Sequence, residues 1–265
     1  MSEVKYEDYK QELDYIDDKK ERIEDVIDMH LETFVELVKK FGPSCVKLVT
    51  KPSLDICFYA VTKEPSLFRS LPDNMKRNLQ VQIATLGKEG IGLQYIAKSY
   101  LLPEVAEYAI QLDWRNLQYV KNPTDELIYK AYRQNARALM YVLELSDNIK
   151  TQCIYENPTS IKWIKNQELD DQMFAVGVNP NVLRHIHNPL DQDVVIAAVF
   201  NPDFYSLENV SEQYRTFPVC VHCVARKRDD IAYVPVALQQ MVVTLVDNGA
   251  IDVTVDGTIY YKEEV

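Results

Sequence analysis

LQYVKNPTDELIYKA, residues 117–131, has the form of a short helix ending, a Pro-marked turn and a second helix beginning. Its skeleton returns as VKLVTKPSLDICFYA at 46–60 and as LRHIHNPLDQDVVIAA at 183–198. Aligned on an apolar-x-aromatic-apolar core, the copies begin at Val46, Phe68, Leu93, Leu117, Leu139, Ile161 and Leu183, with a degenerate copy at Tyr205. Successive starts differ by 22, 25, 24, 22, 22, 22 and 22 residues, a period that indicates a repeat architecture.

Other columns keep the same register. Fourteen to sixteen residues after each start lie Ala60, Ala84, Ala109, Ala131, Cys153, Ala175 and Ala197, small side chains that let helices approach closely. Four residues before the start stand Glu64, Asp113, Asn135, Asn157, Asn179 and Asn201, four of them followed directly by Pro. An Asn or Asp cap with Pro at the first helical position is a helix start, because the side-chain oxygen accepts an orphan N–H and Pro has none. Pro52, Pro123 and Pro189 stop the other helix. Each unit is thus a pair of short helices. Neither buries its apolar face alone, since isolated helices under about 12–15 residues are marginal in water, and stacking on neighbours supplies the core. The expectation is a mainly α chain: an α-solenoid of about eight two-helix repeats over residues 42–212.

The repeats resemble the "LQYIKNPSEE" type of short helical repeat grouped as a domain of unknown function in bacteriophage and bacterial proteins. Residues 117–131 and 179–199 carry this resemblance, which covers about two thirds of the chain. They also resemble, less closely, variant leucine-rich repeats, which alternate short helices around Pro-marked turns. The resemblance implies the fold, a phage origin and a host protein as partner. It transfers no catalytic residue, because its motif consists of packing and capping positions.

Residues 1–41 read as an acidic amphipathic helical cap, with Ile16, Ile23, Ile27, Phe34, Leu37 and Phe41 near heptad spacing. Solenoids need such a polar-faced cap. Residues 213–265 read as a small α+β cap: a helix over 235–247, alternation on both sides of Asp256-Gly257 that marks a β-hairpin, and Phe217 to Ala225 as a third strand.

Composition narrows the function classes. The chain has 265 residues, 47% of them apolar and only 7 Gly, which favours helices over a sandwich or barrel. The N-terminus lacks the basic and apolar regions of a signal peptide, and no stretch reaches 18 apolar residues. Five Cys at irregular spacing fit a reducing compartment, so the expected location is the cytoplasm, that of a host cell if the phage resemblance holds. Residues 1–30 carry 11 Asp+Glu and 5 Lys+Arg of a chain whose formal charge is -11. With no basic stripe visible along the sequence, nucleic-acid binding is disfavoured.

Candidate chemistry is sparse. Cys220-x-x-Cys223 has no second pair to complete a zinc site and reads as buried strand cysteines. His185 and His187 point about 200° apart on a helix and cannot chelate one ion. None of the phosphate-loop, nucleophile-elbow, zincin or dinucleotide motifs occurs. No catalytic residue, metal ligand or cofactor is therefore assigned. The expected function is non-enzymatic protein binding, through a solenoid face or the acidic helix bearing Asp17, Asp18, Glu21, Glu24 and Asp25. Two alternatives stand beside it: an acidic mimic of nucleic acid, and a ligand-sequestering or catalytic pocket near Cys220 to Arg228.

Overall fold

A computed structural model describes residues 29–187, 191–253 and 259–261, and they are mainly helical. Each repeat pairs one α-helix with one 3-10 helix. The α-helices are α1 (Leu31–Phe41), α2 (Leu54–Lys63), α3 (Asp73–Lys76), α4 (Leu79–Leu86), α5 (Pro103–Leu112), α6 (Asp125–Gln134), α7 (Asp147–Glu156), α8 (Leu169–Val178), α9 (Gln192–Val199), α10 (Phe217–Arg226) and α11 (Val236–Asp247). Between them run 3-10 helices at Pro43–Leu48, Pro65–Ser70, Ile91–Tyr95, Trp114–Tyr119, Ala136–Tyr141, Pro158–Trp163, Pro180–His185, Leu207–Asn209 and Arg228–Tyr233. Residues 1–28, which hold most of the expected N-terminal cap, lie outside the described residues.

One backbone bond marks the register. The N–H three residues after each core start donates to the start's own carbonyl: Val49 to Val46, Leu71 to Phe68, Ile96 to Leu93, Val120 to Leu117, Val142 to Leu139, Ile164 to Ile161 and Ile186 to Leu183. Val210 to Leu207 and Val234 to Ile231 continue the series. The eighth copy therefore begins at Leu207, not Tyr205, because Asn201 and Ser206 each cap a turn and add residues ahead of it. A ninth, Ile231-Ala232-Tyr233-Val234, matches the motif in full.

Every α-helix of the repeats buries one stripe. In α2 it is Ile56, Cys57, Ala60 and Val61; in α5 Val105, Ala106, Ala109 and Ile110; in α7 Ile149, Lys150, Cys153 and Ile154. The small-residue column belongs to the third of these positions. In α4 and α9 it is filled by Thr85 and Ala198 rather than by Ala84 and Ala197, which are only half-buried.

The chain divides into two compact units, Met1–Ala138 and Leu139–Val265. Within the first, α2, α4, α5 and α6 pack in sequence, and the 3-10 helices from Pro43–Leu48 to Trp114–Tyr119 pack side by side in the same order. Within the second, α7 to α10 pack in sequence, with the 3-10 helices Pro158–Trp163, Pro180–His185, Leu207–Asn209 and Arg228–Tyr233 alongside. Side-chain amides tie neighbouring repeats by imitating a peptide. Gln134 donates to Ile110 O at 2.6 Å and accepts from Trp114 N, and Asn181 donates to Asp203 O and accepts from Tyr205 N at 2.8 Å.

The segment Phe217 to Ala225 is not a strand. It is α10, entered through Thr216 with Pro in its first turn, and it is the α-helix of the ninth repeat. Strands β1 (Ala250–Val253) and β2 (Ile259–Tyr261) pair antiparallel in the register Ala250↔Tyr261 and Val253↔Ile259, and α10 packs on β1. Asp256 and Gly257 lie outside the described residues.

Candidate binding faces

The acidic residues Asp17, Asp18, Glu21, Glu24 and Asp25 also lie outside the described residues. The other candidates are placed. Asn135, Asn157, Asn179 and Asn201 each accept a backbone N–H two residues on, at 2.9, 3.2, 2.9 and 2.9 Å. They cap turns and 3-10 helices, as the Asn-Pro pattern predicts. His185 ends a 3-10 helix and accepts from Arg184 Nε at 3.3 Å, while the His187 ring meets Lys162 O at 3.2 Å. Partial burial, then the charges of Arg184, Lys162 and His187, hold the His185 imidazole below its usual range.

Cys220 and Cys223 sit on the buried stripe of α10. Burial pushes their thiols up to about 11 and about 12, which suppresses the reactive thiolate. His222 lies tilted against Phe200, with ring centroids 4.2 Å apart. The neighbouring cavity, lined by Tyr205, Ser206, His222, Lys227 and Asp230, measures about 20 Å³, space for a single water. Asp230 is buried beside it and is occupied: Ser206 Oγ donates to it at 2.6 Å and Leu207 N at 2.7 Å. Among the described residues no cluster of three His, Cys, Asp or Glu is placed to hold a metal ion, and no helix is long and apolar enough to cross a membrane.

The two helix types differ in chemistry. On the α side, Phe58 and Ile83 hold the same register position on the packed pair α2 and α4, yet are 45% and 41% exposed, and Leu79 lies one turn from Ile83. On α8, Leu169 and Met173 are exposed one turn apart.

Within the 3-10 helices themselves the charge has one sign. The seven 3-10 helices from Pro43–Leu48 to Pro180–His185 contain Lys47, Arg69, Arg115, Arg137, Lys162 and Arg184 and no Asp or Glu. In the first unit, Lys47, Arg69, Gln94 and Gln118 occupy the position one past the core start and are exposed, beside the half-buried rings of Tyr95 and Tyr119. Arg69 reaches the next repeat, donating to Gln94 O at 3.2 Å, with its guanidinium 5.6 Å from the Tyr95 ring. Lys98 and Lys121, in the connections that follow, line a groove of about 280 Å³ with Leu102, Val120 and Pro123. Across that groove Lys130 is held between Glu107 at 2.6 Å and Glu126 at 2.9 Å.

Sequence reading misses this face, because Lys47, Arg69, Lys98 and Lys121 stand 22, 29 and 23 residues apart and make no run; only the packing of successive repeats brings their segments together. Residues 31–138 hold 15 Lys+Arg against 11 Asp+Glu, a net +4 inside a chain of -11. No protein-family model, curated protein or solved structure matches the chain.

Proposed function

We propose that the chain is a non-enzymatic helical-repeat module, an α-solenoid closed by an N-terminal helical cap and a C-terminal α+β cap, that acts by binding a protein partner. The observation that carries this reading is the apolar pair Phe58 and Ile83, repeated at one register position and left in solvent. Two stacked short helices offer a partner a ridge of this kind. On the resemblance to repeats of phage proteins, the partner is a host protein met in the host cytoplasm, and the acidic segment bearing Asp17 to Asp25 is a second contact. Concentration of acid in residues 1–30, which hold 11 Asp+Glu against 5 Lys+Arg, speaks against a nucleic-acid mimic, whose charge would be spread along the chain, and a cavity of about 20 Å³ beside α10 speaks against a ligand pocket there.

The test is affinity capture from a bacterial lysate at low and high salt with three proteins. The parent chain should retain one stoichiometric protein. Phe58→Ser with Ile83→Ser should fold normally and lose it. Reversal of Asp17, Asp18, Glu21, Glu24 and Asp25 to Lys should also leave folding intact and weaken capture, more so at low salt, where charge contacts are least screened. Undiminished capture by the Phe58/Ile83 variant would remove the α-side ridge as the docking surface.

A further inference from the structure

The opposite face of the first unit has a chemistry that the protein-binding reading does not use. Four 3-10 helices, Pro43–Leu48, Pro65–Ser70, Ile91–Tyr95 and Trp114–Tyr119, pack side by side without a single carboxylate of their own. Lys47, Arg69, Lys98 and Lys121 are exposed there, and none has a carboxylate partner among the described residues. Carboxylates stand at the margins of this face: Glu64 and Asp113 cap two of these helices, and Glu107 and Glu126, which line the groove with Lys98 and Lys121, are held by Lys130. The connection row is interrupted once, at Asp73, whose carboxylate is taken up by Tyr100 at 2.8 Å and by Lys76.

Cations alone would suit any anion. The rest of the face narrows the class. Tyr95 and Tyr119, packed against the core, leave part of their rings in solvent in consecutive repeats, and Gln94 and Gln118 present exposed amides in the row beside them. Rings on which bases stack, amides that meet base edges, and cations that meet phosphates are the components of single-strand recognition. An acidic peptide needs the cations and has no use for the other two rows. Helices in contact lie about 8–10 Å apart, so four repeats form a track of roughly 30 Å, enough for several nucleotides of an extended strand.

We propose that the 3-10 face of residues 43–121 binds single-stranded nucleic acid, with Lys47, Arg69, Lys98 and Lys121 on the phosphates and Tyr95 and Tyr119 under the bases. The expectation that nucleic acid is disfavoured rests on net charge and on the absence of a basic run; the stacked columns answer both points, since the field that a strand meets is the local one.

The test is fluorescence anisotropy of labelled dT12 and rU12 with the full chain, read against salt. Each phosphate contact on a single strand contributes about -0.7 to the slope of log K on log salt, so four contacts predict a slope near -3. Arg69→Gln with Lys98→Gln and Lys121→Gln, all exposed and absent from the core, should keep the circular dichroism spectrum, weaken binding at least tenfold at low salt and flatten the slope by about 2. Lys39→Gln, whose ammonium is already paired with Glu36, should change neither. Absence of saturable binding at low salt, or an unchanged slope in the triple variant, would overturn the proposal. So would poly-glutamate competing as well as dT12 at equal charge, which would assign the face to acidic proteins. The Phe58/Ile83 variant should bind the oligonucleotides normally, so failure of this proposal is distinct from failure of the protein-binding reading.

Discussion

Gln82 and Gln172 hold the same position on the buried stripes of α4 and α8, and both are fully buried. Gln82 is saturated: its amide donates to Lys76 O at 2.7 Å and Tyr100 O at 2.8 Å and accepts from Leu102 N at 3.1 Å. Gln172 has no hydrogen-bond partner for either amide atom among the described residues. An unpaired buried polar group costs about 1–3 kcal/mol, and an apolar residue of the same shape avoids that cost. Gln82→Leu strips three backbone groups of their partner and should cost about 3 kcal/mol. Gln172→Leu should be neutral or stabilise by about 1 kcal/mol. Urea unfolding followed by circular dichroism measures both, and equal losses would show that the two amides do the same work. Lys150 holds this position on α7 and survives burial by pairing with Asp171 at 3.1 Å. The sequence does not mark these three residues as buried, because polarity predicts exposure. Their burial follows only from the register, and their partners only from the fold.

At the scale of the element, the register was legible in most units, including the 24-residue unit of Ala109. It slipped at Ala84, in the 25-residue unit, and at Ala197, in the unit that lengthens to 24 once the eighth copy starts at Leu207; Thr85 and Ala198 take the buried place there. FPVCVHCVA reads as a strand because Val and Cys alternate, but α10 buries Val219 through Val224 without a break, so no face pattern remains to betray a helix. The surer guides were Pro in its first turn and the motif Ile231-Ala232-Tyr233-Val234 that follows. Two glycines test how tightly the elements fit. A Cβ on Gly92, in the 3-10 helix Ile91–Tyr95, would lie 1.6 Å from Thr85 O of α4, and backbone cannot yield that far. Gly92→Ala should cost about 3 kcal/mol or more through overpacking. Gly177 lies inside α8 with nothing within 4 Å of its added Cβ. Gly177→Ala should stabilise by about 0.5–1 kcal/mol, the usual helix preference. Thermal midpoints of the two variants should therefore move in opposite directions, and a harmless Gly92→Ala would mean that the 3-10 helix is not seated on α4.

Across the whole molecule, the five cysteines report on the core of both units: Cys45 and Cys57 in the first, and Cys153, Cys220 and Cys223 in the second, all buried and free of disulfides. Burial raises Cys45, Cys57 and Cys220 to about 11, and Cys153 and Cys223 to about 12, from an ordinary 9.0. The sign of the resulting pH dependence is fixed. Below 9.0 the thiols are neutral in folded and unfolded chains alike and nothing is lost. Above it the unfolded chain releases protons that the folded chain retains, so stability falls as pH climbs from 9 towards 11 and 12. The urea midpoint should be flat from neutral pH to about 9 and lower at about 10.5. A chromogenic disulfide reagent at about pH 8 should find no fast thiol in the native protein and five in urea, since the thiolate is the nucleophile and none is exposed. Rapid reaction at Cys220 or Cys223 alone would mean that α10 opens locally, and would return the C-x-x-C pair to consideration as a redox or metal-binding site. Slow reaction at all five would leave those cysteines with the packing role that Ala fills at equivalent positions in other repeats.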